Sequence, residues 1–384
     1  MTLYLNTKRQ YENYKELSQE KYFVDKSEII SIINENISTK SKYICVTRPR
    51  RFGKSSVADM LGAYYSKVVD SKAIFDKLKI SKNDDYLEKL NKYNVISISF
   101  AEIDSNCSNC VEYIDRISNL LREDLKEKFP KANIDEKYTI WEVFSKLDEK
   151  FIFIFDEWDY IFNANIFEED QDKFLEFLMK LLKDKPYVAL AYMTGILPIK
   201  KYSSGSSLNM FDEFTFLKDR IYDKYFGFTE SEVEELCKKN ADIDFNELEK
   251  WYNGYLTAKG IRIYNPRSVV KALQNSYCTS YWTNTGAMDE VEEYLKYNIL
   301  EIRDEVIEMV SGEEIDIFID EEFRAGQGTP KTKEEIYSAM IVLGFLSYHD
   351  GYLKIPNKEL MKEFEKALSD ESFGYVSMKS QTWH

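Results

Sequence analysis

The segment Arg48-Pro49-Arg50-Arg51-Phe52-Gly53-Lys54-Ser55 has the residue types and spacing of a loop built to wrap phosphate. Such a loop turns backbone N–H groups toward anionic oxygens at a helix N-terminus. Gly53 is expected to let the backbone come close, because a Cβ there would clash with the phosphates. Lys54 carries positive charge to the β and γ phosphates, and the Ser55 hydroxyl completes a Mg²⁺ shell. Arg50, Arg51, Phe52 and Ser56 make up the rest of the expected nucleotide-binding stretch, with Arg50 and Arg51 as charge neutralisers. The usual pattern is G-x-x-x-x-G-K-[ST], and here Arg48 replaces the first glycine. The bland alternative is a basic, solvated loop whose arginines pair with nearby acids.

A second group of residues fits the same chemistry. FIFIF at 151–155 is an apolar strand ending in Asp156 and Glu157, 102 positions after Lys54. Parallel sheets place ligands at the carboxyl ends of their strands. Asp156 is expected to hold Mg²⁺ and Glu157 to polarise the attacking water, since phosphoryl transfer needs positioning and charge neutralisation above all. Alone, two acids at a strand end read as a solvated terminus; joined to the glycine-lysine-serine loop they read as a hydrolytic pair. Thr194, after VALAYM and before Gly195, is placed to sense the γ-phosphate, or equally to make an ordinary turn hydrogen bond.

The elements that must position these residues follow from periodicity. YICVT at 43–47 reads as a buried strand and 54–66 as a helix, so the loop lies between strand and helix. Further strands are expected at 94–100, 151–155, 187–193 and 213–216, with helices at 22–38, 110–127 and 166–183. Asp25 and Glu28 have capping-box spacing for the first helix. Strands alternating with long helices argue for a parallel sheet. Beyond Phe226 the pattern changes. Thr229 and Glu232 open a helix, and the chain to 310 reads as mostly helical, broken at Asn253-Gly254 and Asn265-Pro266. An extended stretch at 312–319, a helix at 332–346 and a hairpin turning at Asp350-Gly351 suggest a winged-helix-like unit. The expected class is therefore α/β, a P-loop NTPase parallel sheet of the kind with a catalytic glutamate (ASCE) at 1–225, a helical lid at 226–310 and a winged-helix-like region at 311–384.

Composition bounds the rest. The chain has 384 residues, is 44% apolar and 31% charged, and carries a net charge of −15. That charge argues against a general electrostatic grip on nucleic acid or an anionic membrane. No apolar run approaches a membrane span, and the first residues have no apolar core of a signal peptide, so the cytoplasm is expected. Cys107 and Cys110 form one CxxC, but the only histidines are His349 and His384, so reduced thiols are expected rather than a zinc site.

The ordered motifs YFVDKSEII (22–30), TRPRRFGKS (47–55), FDEWD (155–159), MTGILPI (193–199), YFGFTESEVEEL (225–236), WYNGY (251–255), IYNPRSVV (263–270), YWTNTG (281–286) and GYLKIPNKEL (351–360) resemble those of the bacterial AAA-ATPase-like family, whose members are often fused to a PD-(D/E)XK nuclease. The resemblance spans nearly the whole chain. It implies that RPRRFGKS is the family's normal phosphate loop, that Lys54 and Ser55 are nucleotide ligands, and that Asp156 and Glu157 are the acidic pair. It favours ATP over GTP, a choice the residues themselves leave open. Trp158 stands where such proteins often have tyrosine. No PD followed by an acidic-x-Lys triplet appears after 320, so nuclease activity is not carried over, and none is expected from the tail acids Glu363, Glu365, Asp370 and Glu371.

Three readings follow: an ATPase driving a conformational change in its C-terminal helical region, a slow-turnover nucleotide switch that recruits a partner, and a nucleic-acid-binding module. The acids between Asp304 and Glu322 weigh against the third. Expected partners are nucleotide and either a homo-oligomer or a separate effector protein. Arg267 is a further arginine within a motif, with a solvated role as its simpler explanation.

Overall fold

The computed structural model describes residues 2–199, 208–240, 242–282, 291–292, 295, 301–319, 323–324 and 330–369. The chain divides into two compact units. One takes Met1–Thr47, Lys54–Thr215 and Arg324–Gly326; the other takes Arg48–Gly53, Phe216–Phe323 and Gln327–His384.

The first unit is organised by five strands: β1 (Tyr43–Thr47), β2 (Asn94–Ser99), β3 (Phe151–Asp156), β4 (Val188–Gly195) and β5 (Asp212–Phe214). All pair parallel, in the order β2-β3-β4-β1-β5. Every residue of β1 and of 151–155 is buried. Successive side chains point to opposite faces, so both faces of these strands are covered. This is the α/β sheet of a P-loop NTPase, with β4 inserted between β1, which leads into residues 48–53, and β3, which ends in the acids.

Helices α1 (Arg9–Ser18), α2 (Ile29–Asn34), α3 (Lys54–Tyr65), α4 (Cys110–Lys128), α5 (Ile140–Lys146) and α6 (Gln171–Leu182) belong to this unit. The helix expected over 22–38 is shorter at both ends. Asp25 does not cap it: its Oδ1 accepts the Ser27 N–H at 2.8 Å and its Oδ2 the Lys79 N–H at 2.7 Å. A side chain committed to a distant segment is unavailable for the capping box. The helix expected from 166 begins only at Gln171, after the short helix Tyr160–Asn163.

The second unit departs more from the expected helices. Three short strands, β6 (Phe228–Thr229), β7 (Tyr255–Leu256) and β8 (Arg262–Tyr264), form an antiparallel sheet in the order β6-β8-β7. Strands of two or three residues leave no readable alternation, so the periodic signal came only from their helices, α7 (Glu230–Cys237), α8 (Phe245–Tyr252) and α9 (Pro266–Asn275). The capping box of Thr229 and Glu232 does open α7. Helix α10 (Ile302–Val310), β9 (Ile315–Asp316), α11 (Lys333–Leu343), β10 (Ser347–His349), β11 (Tyr352–Lys354) and α12 (Lys358–Ser369) complete it. The β10–β11 hairpin turns at Asp350 and Gly351, both with positive φ (52° and 91°) as a two-residue turn of the primed type requires. Only Ile315–Asp316 of the extended stretch is a strand.

Glu359, at the start of α12, is the polar centre of this unit. Its Oε1 accepts the Ser268 hydroxyl at 3.0 Å and the N–H groups of Tyr281 and Trp282 at 2.6 and 2.9 Å. The side chain is buried, and burial pushes its pKa up to about 7. Glu363 and Glu365 lie on α12; Asp370 and Glu371 fall outside the described residues.

Candidate nucleotide site

Strand β1 hands the chain to the loop, and α3 starts at Lys54, directly after Gly53. Gly53 has φ +87°, a conformation that disfavours side chains. No protein atom lies within 4 Å of where its Cβ would sit, so it is the backbone angle that demands glycine, and the expected clash is not with the protein. Lys54 is buried apart from 8% of its surface.

Within the first unit the structure brings Lys54, Ser55, Asp156 and Glu157 together. The Ser55 hydroxyl hydrogen-bonds the Asp156 carboxylate. Burial is the main cause that raises the Asp156 pKa to about 6, and Glu157 adds to it. The Ser55 bond, the Lys54 charge and the Glu157 N–H pull it down. Glu157 sits at φ 50°, in the left-handed region, where its N–H donates to Asp156 Oδ1 at 3.0 Å. That turn carries the Glu157 carboxylate out to an exposed position. There its Oε2 accepts the Ser99 hydroxyl at 3.3 Å, from the neighbouring strand end.

Thr194 lies near the end of β4. It has no exposed surface, and its hydroxyl donates to the Val46 carbonyl at 2.9 Å. It ties β4 to β1. The residue that shapes this strand end is Asp159. Its Oδ2 accepts the N–H groups of Ile196 and Leu197 at 3.0 and 2.7 Å. Its Oδ1 lies 2.1 Å from the position of a Cβ on Gly195, which leaves room for glycine only. Burial raises the Asp159 pKa, opposed by these N–H groups and by Lys54.

A further carboxylate, Asp59, lies one helical turn beyond Ser55 on α3. Burial lifts its pKa to about 7; the Asn13 hydrogen bond lowers it and Asp156 raises it. Sequence reasoning assigned no role to Asp59, Ser99 or Asp159. Asp159 stood within a quoted motif, three residues after Asp156, whereas nothing local marks the other two.

Residues 48–53 pack within the second unit. The Arg48 guanidinium pairs with the Asp219 carboxylate, both side chains essentially without solvent exposure, and lies 4.8 Å from the centre of the Phe226 ring. Asp219 Oδ1 also accepts the N–H groups of Ile221 and Tyr222 at 2.7 and 2.9 Å. The Arg50 carbonyl accepts the Trp282 indole N–H at 3.4 Å. Phe52 packs on Phe216 and Tyr255 with ring centres 5.9 and 5.1 Å away, and its carbonyl accepts the Gly227 N–H at 2.9 Å. Among the expected binding residues, Phe52 therefore keeps its side chain in the core and offers only backbone. Arg51, at φ 70°, is exposed, and Ser56 follows Ser55 in the first turn of α3.

Among the described residues no group of three or more His, Cys, Asp or Glu side chains could hold a metal ion, and no helix is long and apolar enough to cross a membrane.

Residues 10–204 match a family described as Predicted AAA-ATPase. No curated protein matches the chain. Among solved structures, the Walker-type ATPase PABY2304 of Pyrococcus abyssi is 16% identical, with 88% of this chain and 94% of that one covered and a TM-score of 0.43. The ORC2 protein of Aeropyrum pernix is 10% identical, with 96% and 94% covered and a TM-score of 0.40.

Proposed function

The chain belongs to the predicted AAA-ATPase family, and from that premise we propose that it binds ATP with Mg²⁺ and hydrolyses the γ-phosphate at the carboxyl edge of its sheet. The observation that carries this reading is the bond between Ser55 and Asp156, with Glu157 turned outward beside it. A hydroxyl and a carboxylate are hard oxygen donors, and Mg²⁺ is held by one or two such groups plus phosphates and water, so the donor set fits. When bound, the metal would supply charge neutralisation to the β and γ phosphates. Lys54 holds the same phosphates, the backbone amides of Ser55 and Ser56 at the start of α3 face them, and Glu157 takes a proton from the attacking water.

Turnover in this reading drives a conformational change in the C-terminal region, where α11 and the β10–β11 hairpin support a winged-helix-like description. A slow-turnover switch is the second reading. It is favoured by Ser99, whose hydroxyl occupies one oxygen of Glu157.

Calorimetry with ATP, with and without Mg²⁺, and steady-state phosphate release test the proposal. Lys54→Ala should lose most ATP affinity. Glu157→Gln should bind ATP and lose about 10²–10⁴ in kcat. ATP affinity unchanged in Lys54→Ala would remove the phosphate-loop assignment.

A further inference from the structure

Helix α1 is pinned to the first unit from both sides. Ahead of it, the N–H groups of Leu3, Tyr4 and Leu5 donate to the Asp124 carboxylate at 2.9, 2.6 and 2.9 Å, and Leu5 bridges Ile96 of β2. Along it, Gln10 donates to the Ser97 hydroxyl at 2.6 Å, and Asn13 to Asp59 Oδ2 at 3.1 Å. The Gln10 side chain also lies 2.6 Å from where a Cβ on Gly62 would be, so α1 approaches α3 closely enough to exclude any side chain there.

The first residue of this helix is Arg9. Its Nη2 lies 2.6 Å from Glu102 Oε1, with both side chains about half exposed (53% and 52%). Glu102 belongs to the turn that leaves β2. Its N–H donates to the Ser99 carbonyl at 3.4 Å, and Phe100 N–H donates to the Asp156 carbonyl at 3.0 Å. Ser99 is the residue that touches Glu157. The guanidinium thus stands beside Glu102, three residues along the chain from Ser99, which touches Glu157. The charges of Asp59 and Asp156 both act on Arg9.

A half-exposed ion pair is weak because water screens both charges, so it exchanges readily. Two oxygens of a tetrahedral phosphate can take the planar guanidinium fork at two points as a carboxylate does, with more charge. Resting on the ATPase reading above, we propose that Arg9 is a cation supplied in cis by the amino-terminal helix, held by Glu102 without nucleotide and transferred to the γ-phosphate when ATP binds. In the step it serves, a water oxygen bonds to the γ-phosphorus and the bond to the bridging oxygen breaks. Glu157 accepts the water proton, and ADP and inorganic phosphate leave. Arg9 gains and loses no proton; it offsets charge on the γ-phosphate oxygens.

The test uses the full chain with ATP and Mg²⁺ and the variants Arg9→Ala, Arg9→Lys, Glu102→Gln and Lys54→Ala. ATP affinity is measured by calorimetry in a Glu157→Gln background, kcat by phosphate release, and folding by thermal melts. Arg9→Ala is expected to lose about 10³-fold in kcat, as loss of an arginine finger does, with ATP affinity within about threefold. Arg9→Lys, which keeps an ion pair with Glu102 and so controls for folding, is expected to recover little. Glu102→Gln should turn over at least as fast as the unaltered chain. Equal losses in Arg9→Ala and Glu102→Gln would assign the pair a structural role and overturn the proposal, as would an unchanged kcat in Arg9→Ala. If Lys54→Ala also keeps full ATP affinity, the ATPase reading itself has failed; if only the arginine variants are silent, the failure is confined to Arg9.

Discussion

The guanidinium of Arg48 is held by the carboxylate of Asp219, 171 residues away, with both side chains excluded from solvent. Arg48 occupies the place of the usual first glycine of a phosphate loop, yet its charge is spent inside the second unit. The residue that reads as the loop's defect is its mooring.

Returning Arg48 to glycine should therefore harm the protein while improving its match to the usual motif. Asp219 would keep two backbone donors but lose its cation, and removing one partner of a buried pair costs about 3–5 kcal/mol. Denaturant unfolding of Arg48→Gly is expected to show a loss of that size. Unchanged stability would mean that the pair contributes nothing net.

Burial holds the Asp156 carboxyl near pH 6, above its ordinary value. For a carboxylate raised in this way, the protonated form is the one the fold favours. Fold stability from this group is complete below its unfolded value near 4 and is lost as pH rises through about 6. Metal binding runs the opposite way, because the ligand must be ionised. Mg²⁺-dependent ATP binding should weaken as pH falls below about 6, and Asp156→Asn should abolish that step. Mg²⁺ titrations between pH 5 and 8 measure it.

Glu359 separates charge from hydrogen bonding. One oxygen accepts three buried donors, and a glutamine oxygen could accept the same three. With its pKa raised to about 7 by burial, the glutamate costs stability as pH rises from its unfolded value through 7. Glu359→Gln should equal or exceed the parent in melting temperature at pH 8, with the advantage gone at pH 5. Glu359→Ala strands the donors and should lose about 2–4 kcal/mol at either pH.

Gly195→Ala would place a methyl 2.1 Å from Asp159 Oδ1 and 2.7 Å from Trp158 Cδ1. Overpacking of this kind costs about 1–3 kcal/mol. The shift should also disturb the β4 end that Asp159 holds, so a lower melting temperature accompanied by a lower kcat is expected. A variant matching the parent in both would show that this turn adjusts freely.

The sequence by itself determined what is local. An apolar run, a glycine before lysine and serine, and a second apolar run ending in two acids dictate strand, loop, helix and strand. Covering the strands then brings their carboxyl ends to one edge, which is where the sequence reading puts Lys54, Ser55, Asp156 and Glu157. What only the tertiary structure decided is where each polar side chain finds its partner. Arg48 and Arg50 look alike in a basic loop; only the distant Asp219 shows that Arg48 is buried, because a charge leaves water only where a counter-charge meets it. Thr194 reads equally as a γ-phosphate sensor or as an ordinary strand-end threonine, and only the fold shows that its hydroxyl bonds the Val46 carbonyl across the strand pair. Arg9, Ser99 and Asp159 were assigned no role, since packing of α1 on α3, strand register and long-range hydrogen bonds set their surroundings, and none of these is encoded in a short window. Spacing along the chain sets an element's type, whereas long-range packing sets the surroundings of each side chain and so its chemistry.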